Sequence, residues 1–137
     1  SNDVCLNIRR TDHLNSDELN VISSEYYEKG IDYFLRKNSD IRFFIFSDDI
    51  EWCRKKFKNT VQFKIIGHEY AGKKFKNYLY LMSKFKNFII PNSTFAWWGA
   101  WLSNNKNKTV IVPKKWSGID PENEIDTPLE EWIKIEN

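Results

Sequence analysis

Residues 88–102 constrain the fold of this chain more than any other stretch of its sequence. An apolar run at 88–90 is long enough for a buried strand, and Pro91 ends it because proline has no backbone donor for a sheet. The Asn-Ser-Thr sequence at 92–94 then supplies side chains that cap helices, and helical periodicity follows. The stretch therefore predicts a strand that turns directly into a helix.

The helix after this turn is expected to be buried on nearly every side, because it is rich in tryptophan and has little polar surface. Phe95, Trp98 and Leu102 share one face, and Trp97 and Trp101 share another. Its first backbone N–H groups and the hydroxyls of the turn would together form an anion site. On this stretch alone, capping and core packing explain the same residues more simply, so a functional interpretation depends on what else the fold brings there.

Apolar runs and helical patterns alternate along the whole chain. They predict strands at 3–8, 41–46, 61–66, 88–90 and 109–113, four helices between and beside them, and a short further helix at 127–130. Nearly continuous apolar strands are typical of a parallel sheet that is covered on both faces. Right-handed crossovers then give a doubly wound, Rossmann-like α/β fold, and a strand order of 3-2-1-4-5 would make the first and fourth strands neighbours.

The composition suits one such domain and argues against several functional classes. A length of 137 residues and a hydrophobic fraction of 41% allow a real core, and a net charge of +2 is no general nucleic-acid footprint. Cys5 and Cys53 lack metal-ligand spacing and are expected to be buried, reduced thiols of a cytoplasmic protein. No apolar run is long enough to span a membrane. Because the chain enters its first strand with no leading element, we expect one domain of a longer protein.

Two arginines follow the first predicted strand, at the sheet edge where doubly wound folds bind ligands. Arg9 and Arg10 would face the helix that starts after the fourth strand, which leaves excess positive potential unless an anion lies between them. The guanidinium fork suits a diphosphate, and we expect at least one of the two arginines to be functional. The alternative is that Arg10 pairs with Asp12 and Arg9 with another acid.

The second strand ends at the same edge with Ser47, Asp48 and Asp49. Either carboxylate could accept a hydrogen bond from a ribose hydroxyl or a base N–H, although capping of the next helix explains Asp49 at least as well. The glycine-rich signatures of dinucleotide dehydrogenases and P-loop enzymes are absent, and no His, Cys and Asp cluster has metal-ligand spacing. A diphosphate held by arginines and a helix N-terminus needs no metal to neutralise it.

Several segments of the chain resemble the motifs of glycosyltransferase family 11, the α-1,2-fucosyltransferases, here of a bacterial kind. They are residues 8–12, 46–53, 81–83, 89–102, 110–116 and 132–133. The run Asn-Ser-Thr-Phe-Ala-Trp-Trp-Gly-Ala-Trp is highly specific, and the likeness covers nearly the whole chain. It implies an inverting, metal-independent transfer of L-fucose from GDP-fucose to a galactoside hydroxyl, without a cofactor. It also implies a two-domain GT-B-type enzyme of which residues 1–137 are the GDP-fucose-binding half.

The resemblance also implies roles for individual residues. Arg9 and Arg10 match the arginine pair that binds the donor diphosphate, and they would stabilise charge growing on the β-phosphate. The remaining residues that it places at the donor are Asn7, Asp12, Ser47, Asp48, Asn92, Ser93 and Thr94. The family usually has His where this chain has Asn7 and Gly where it has Thr11. Related α-1,6-fucosyltransferases also carry Arg-Arg-Thr-Asp, whereas Asn7 is expected to alter donor orientation.

A general base is expected to activate the acceptor hydroxyl. Asp17, Glu18 and His13 lie in the loop after the arginines, and Asp17 is our hypothesis for this base. The acceptor, a glycan with terminal galactose, should be bound by an N-terminal domain that these 137 residues lack, so this part alone is expected to be inactive. We expect a bacterial cytoplasmic enzyme that could associate peripherally with a membrane and does not bind nucleic acid.

Two other interpretations remain open at this point. One is a transferase that uses a different nucleotide sugar, which a donor screen would identify. The other is a degenerate, non-catalytic domain that binds a nucleotide or nothing at all, and Asn7 is the feature that favours it.

Overall fold

A computed structural model describes residues 2–10, 22–58, 60–70, 72–73, 76–104, 107–114 and 132–136. Its elements are β1 Val4–Ile8, α1 Ser24–Lys37, β2 Phe43–Ser47, α2 Ile50–Lys56, β3 Phe63–Ile65, a 3₁₀ turn His68–Tyr70, α3 Lys76–Met82, β4 Asn87–Ile89, α4 Thr94–Leu102, β5 Thr109–Pro113 and β6 Ile133–Ile135. The helix predicted at 127–130 lies outside these residues. None of the described helices combines the length and the apolarity needed to cross a bilayer.

The strands form one parallel sheet in the order β3-β2-β1-β4-β5-β6. This confirms the Rossmann-like α/β fold and the predicted 3-2-1-4-5 order, and it adds β6, which the sequence analysis did not predict. From β1 the chain adds β2 and β3 on one side and then β4, β5 and β6 on the other. The strand order therefore reverses between β1 and β4, and their carboxyl ends form the switch point. The outer strands β3 and β6 have three residues each, with exposed Lys64 and Lys134 between half-buried neighbours.

Two apolar layers cover the sheet, as a parallel sheet requires. The layer under α1 and α2 contains Leu6 of β1, and the layer under α3 and α4 contains Cys5, because successive strand residues point to opposite faces. Cys5 and Cys53 are both buried free thiols, which confirms that prediction. The ends of β1 and β4 are thereby held between two packed layers, so the groups that follow them start from rigid positions.

Burial of α4 is one-sided, so the prediction of a helix buried nearly all round is wrong. Its small residues face the core, and Gly99 lies so close to α3 that an added Cβ would be 2.8 Å from Met82 Cε. Trp98, Trp101 and Leu102 are 44%, 47% and 41% exposed. The close approach of α4 to α3 needs small side chains at the contact, which leaves these bulky residues on the outer surface.

Candidate functional site

The carboxyl ends of β1, β2 and β4 bring most of the predicted site residues to one edge of the sheet. β1 pairs with β2 as far as Ile8 and Ser47, and with β4 as far as Leu6 and Ile89. Continuing the β1–β4 register past these pairs brings Arg9 level with the Asn-Ser-Thr turn. The arginine pair and the turn before α4, which are far apart in sequence, are therefore neighbours at the switch point.

Arg10 is held from the β2 side by three contacts. Its backbone N–H donates to Asp48 Oδ1 at 2.9 Å. Its guanidinium Nη1 lies 3.8 Å from Asp49 Oδ2, and its Cζ lies 4.3 Å from the centroid of the Trp52 ring. An ion pair for Arg10 was the alternative interpretation of the sequence, and the acid that forms it here is Asp49. Asp12, the partner considered there, lies outside the described residues.

Asp49 links this arginine to the start of α2. Its Oδ1 accepts the Trp52 backbone N–H at 3.1 Å and caps the helix, which confirms the capping interpretation, while its Oδ2 faces Arg10. Its own backbone N–H donates to Ser47 Oγ at 2.9 Å, and Ser47 is buried. One carboxylate therefore serves as helix cap and as ion-pair partner, which fixes the turn after β2 relative to the end of β1.

Two tyrosines of α1 support the strand ends from below, and the sequence analysis missed this role. The Tyr27 hydroxyl accepts the backbone N–H of Arg9 at 3.4 Å. The Tyr26 hydroxyl lies within hydrogen-bonding reach of the carbonyl oxygens of Ile90 and Ile111. Burial raises the pKa of Tyr27 well above its ordinary value, and the hydrogen bond from Arg9 opposes that shift. The sequence signal was available, since a phenol on a buried helix face needs a polar partner.

The turn before α4 has the capping geometry that the sequence predicted. Ser93 is extended, with φ −129° and ψ 127°, and its Oγ accepts the Ala96 backbone N–H at 3.3 Å. Asn92 and Ser93 are only 3% and 5% exposed. α4 begins at Thr94, whose side chain is outside the description, and its first turn contains no acidic residue. The positive end of this helix is therefore not compensated by a carboxylate of its own cap or first turn.

Asn7 lies below the edge, in the layer under α3 and α4. It is 6% exposed, and its Nδ2 donates to the Met82 sulfur at 3.6 Å. A thioether is a weak acceptor, so this contact satisfies the amide only in part. A direct role of Asn7 in binding a substrate stays a prediction.

His68 also reaches this edge, and the sequence analysis gave it no role. Its Nε2 lies 2.7 Å from the Ser47 carbonyl oxygen, and its ring packs edge-on against Tyr78. A carbonyl only accepts, so Nε2 must carry the proton of this hydrogen bond. His68 therefore ties the end of β3 to the turn that presents Asp48 and Asp49.

The thiol at this edge is not suited to nucleophilic chemistry. The pKa of Cys53 is raised to about 11, chiefly by burial. The hydrogen bond with Ser47 lowers it, the Asp49 and Asp48 carboxylates raise it, and the Arg10 charge lowers it. A thiol with such a pKa stays protonated near neutral pH. In the part of the chain that the structure describes, no three His, Cys, Asp or Glu side chains come together as metal ligands. Metal-independent chemistry remains a prediction.

The candidates for the general base stay predictions from the sequence. Asp17, Glu18 and His13 all lie in the segment 11–21, which falls outside the described residues.

Comparisons with known proteins agree on one family. The chain matches the family model described as Glycosyl transferase family 11 over residues 1–136. It is similar to an alpha-1,2-colitosyltransferase of Escherichia coli, with 36% identity over 99% of this chain and 48% of that protein. It is also similar to the O-antigen biosynthesis glycosyltransferase WbnK of Escherichia coli, with 33% identity over 98% of this chain and 45% of that protein. The chain thus spans about half the length of these relatives. No solved structure matched it.

Proposed function

The chain belongs to glycosyltransferase family 11, and on that premise we propose that it is the donor-binding half of a fucosyltransferase. The donor is GDP-fucose, its diphosphate binds at the switch point between β1 and β4, and the acceptor is a galactoside hydroxyl that receives an α-1,2-linked sugar. The reaction needs no metal ion and no cofactor.

One observation carries this proposal: an arginine pair and an acid-free helix start follow neighbouring strands at one edge of the sheet. Arg9 and Arg10 follow β1, and the buried Ser93 cap opens α4 on the neighbouring strand. A diphosphate between them gains hydrogen bonds to guanidinium groups, each worth about 1.5–3 kcal/mol. It also gains the favourable interaction with the helix dipole, about 0.3–1 kcal/mol per charge.

In the proposed transfer, the acceptor hydroxyl attacks the anomeric carbon of the donor sugar. The bond from that carbon to the β-phosphate oxygen breaks, the configuration inverts, and the nucleoside diphosphate leaves with the bonding electrons. Arg9 and Arg10 stabilise the charge that grows on the β-phosphate, the kind of electrostatic term that is often worth several kcal/mol. A general base takes the proton of the acceptor hydroxyl, and Asp17 is the candidate by its position in the sequence.

The relatives support two further parts of the proposal. One of them is named as an alpha-1,2-colitosyltransferase, which supports an α-1,2 linkage and makes colitose a second candidate for the transferred sugar. Both relatives are about twice as long as this chain. We assign acceptor binding to the part of the protein that corresponds to their remaining length, in a GT-B-type arrangement.

Nucleotide titration of the protein at its full natural length tests the proposal. GDP, GDP-fucose, UDP and ADP are compared by calorimetry and thermal shift with EDTA present. Binding should be selective for guanine, and at 100 times Kd it should add about 2.7 kcal/mol of stability, a rise of roughly 5–10 °C in Tm for a protein of that size. Arg9→Ala should weaken GDP binding at least about tenfold, the effect of losing one charge-assisted hydrogen bond.

The control is Arg36→Ala, which removes an exposed arginine from the last turn of α1 and should leave the affinity for GDP unchanged. Equal affinity for all the nucleotides would reject a guanine donor. Absence of binding to any of them would reject the donor-site proposal and favour the degenerate domain. Turnover of GDP-fucose and nucleotide-linked colitose with galactosides then decides between the two sugars.

A further inference from the structure

We infer that Trp52 is a positioning residue of the diphosphate site, whose indole ring holds the Arg10 guanidinium in place for the phosphoryl oxygens of the donor. The inference rests on the proposed function, since it adds a support to the same site. The sequence analysis gave Trp52 no role of its own, and only the fold brings it to Arg10.

Trp52 itself is fixed on two sides. It lies in the first turn of α2, where its backbone N–H is bound by the Asp49 cap. Its half-buried ring packs against the core layer under α1 and α2 and meets Phe57 edge-on, with ring centroids 6.5 Å apart and planes at 73°. The ring therefore offers Arg10 a surface whose position is set by the helix and the core.

An aromatic ring can orient an arginine side chain without neutralising its positive charge. The Arg10 Cζ lies 4.3 Å from the indole centroid, within the range of a cation–π interaction. Among the described residues, the carboxylate that its guanidinium contacts is that of Asp49, at 3.8 Å, which is too long for a hydrogen bond. An aromatic face does not occupy the N–H donors at the rim of the guanidinium, so these remain able to reach the oxygens of an anion.

Arg42 shows the opposite arrangement at the other end of the sheet, just before β2. Its Nε and Nη2 donate to the two carboxylate oxygens of Asp3 at 3.1 and 2.9 Å. That bidentate pair occupies the fork that a ligand would need, as expected of an arginine that only joins two strands. Arg42 also lies over a ring, 5.5 Å from the centroid of Phe44, so the difference between the two arginines lies in the fork. The fork of Arg10 has no bidentate carboxylate among the described residues, only the 3.8 Å ion pair with Asp49, and it is therefore able to bind a further partner.

The test is a double-mutant cycle on the protein at its full natural length, with GDP and guanosine as the probes. Trp52→Leu removes the aromatic face and should weaken GDP binding about 3- to 30-fold, while Trp52→Phe should retain part of the affinity. Guanosine, which lacks phosphate, should bind all variants equally in ligand-observed NMR. In the Arg10→Ala background, Trp52→Leu should have no further effect on GDP affinity. Arg42→Ala is the matched arginine control and should leave GDP affinity unchanged.

The outcomes separate the two proposals. Equal loss of GDP and guanosine binding in Trp52→Leu and Trp52→Phe, or effects of Trp52→Leu and Arg10→Ala that simply multiply, would overturn the positioning role. Circular dichroism identifies a variant that fails to fold, and the milder Trp52→Phe variant then decides. Failure of the unsubstituted protein to bind GDP would instead overturn the proposed function, and this inference with it.

Discussion

Helices α2 and α4 begin at the same edge of the sheet, and their first backbone N–H groups are capped in different ways. α2 starts after β2 with the Asp49 carboxylate as its cap and Glu51 in its first turn. α4 starts after β4 with the Ser93 hydroxyl as its cap and no acid in its first turn. The positive end of α2 is therefore compensated by its own cap and first turn, whereas α4 has no carboxylate in either place.

An N-cap residue affects the start of a helix through its charge as well as through its hydrogen bond. Both side chains accept the backbone N–H of the third residue after them, so both helices have a satisfied N-cap. Only the carboxylate also brings a negative charge, and that charge already faces Arg10. The start of α2 is thus part of the scaffold, and the start of α4 is the side of the edge that suits an anion.

The largest expected effect comes from making α4 resemble α2. Ser93→Asp should keep the fold stable, because Asp and Ser are comparable caps. A carboxylate about 5 Å from a phosphate charge costs about 3 kcal/mol at an effective dielectric constant near 20, so GDP binding should weaken about 200- to 300-fold. Calorimetry measures the affinity and urea unfolding measures the stability.

Thr60→Asp serves as the charge control for that experiment. Thr60 lies just before β3, at the opposite end of the strands, and its Oγ1 accepts backbone N–H groups as Ser93 Oγ does. Addition of the same charge there should leave GDP affinity nearly unchanged in physiological salt. Equal effects of the two substitutions would contradict the difference between the two helix starts.

A smaller effect is expected from removing the cap of α2. Asp49→Ala should lower the free energy of unfolding by about 1 kcal/mol, since an N-cap carboxylate is lost. Asp49→Asn should recover most of that stability because its side-chain oxygen can still accept the Trp52 N–H. Chemical denaturation gives both values, and equal destabilisation by the two variants would mean that the ion pair with Arg10, rather than the cap, carries the stability.

The smallest effect is on stability at alkaline pH, and it comes from the buried thiol of Cys53 in α2. Burial raises the pKa of Cys53 to about 11 in the folded chain, while an exposed thiol ionises near pH 8.5–9. Between these values the unfolded chain binds fewer protons than the folded one, so stability falls as the pH rises. At pH 10, the raised pKa of Cys53 should lower the free energy of unfolding by about 1 kcal/mol.

Cys53→Ala should therefore flatten the decline in stability between pH 9 and about pH 11, whatever its effect at neutral pH. Unfolding curves at several pH values measure this slope. The same slope in both proteins would show that other buried groups, such as Cys5, account for the alkaline loss.

Much of the fold was predictable because it depends on local pattern and on general rules of chain connection. Alternation of apolar strands and amphipathic helices, with right-handed crossovers, leads to the β3-β2-β1-β4-β5 order. The β6 strand was missed because three residues, Ile133–Ile135, contain too few positions to establish a period. The exposure of Trp98 and Trp101 was missed because hydrophobicity predicts what a helix would prefer to bury, and the close contact at Gly99 determines what it can bury.

The location of the site could be predicted from the sequence, but most contacts between its side chains could not. Strand order alone brings Arg10 to the carboxyl edge, and the capping pattern alone predicts the Ser93 turn. The pairing of Arg10 with Asp49 and its contact with Trp52 join residues about 40 positions apart, and they depend on the relative height of β1 and β2 in the sheet. No local pattern contains that information.

The short outer strands have a consequence for how this protein behaves while it folds and when it is concentrated. An open strand edge is a template on which another chain can build, and long flat edges lead to aggregation. Here both ends of the described sheet are only three residues long, and each carries an exposed lysine at its centre, Lys64 on one side and Lys134 on the other. A foreign strand would have to pair along a very short ladder beside a charge, so the sheet resists growth by copies of itself.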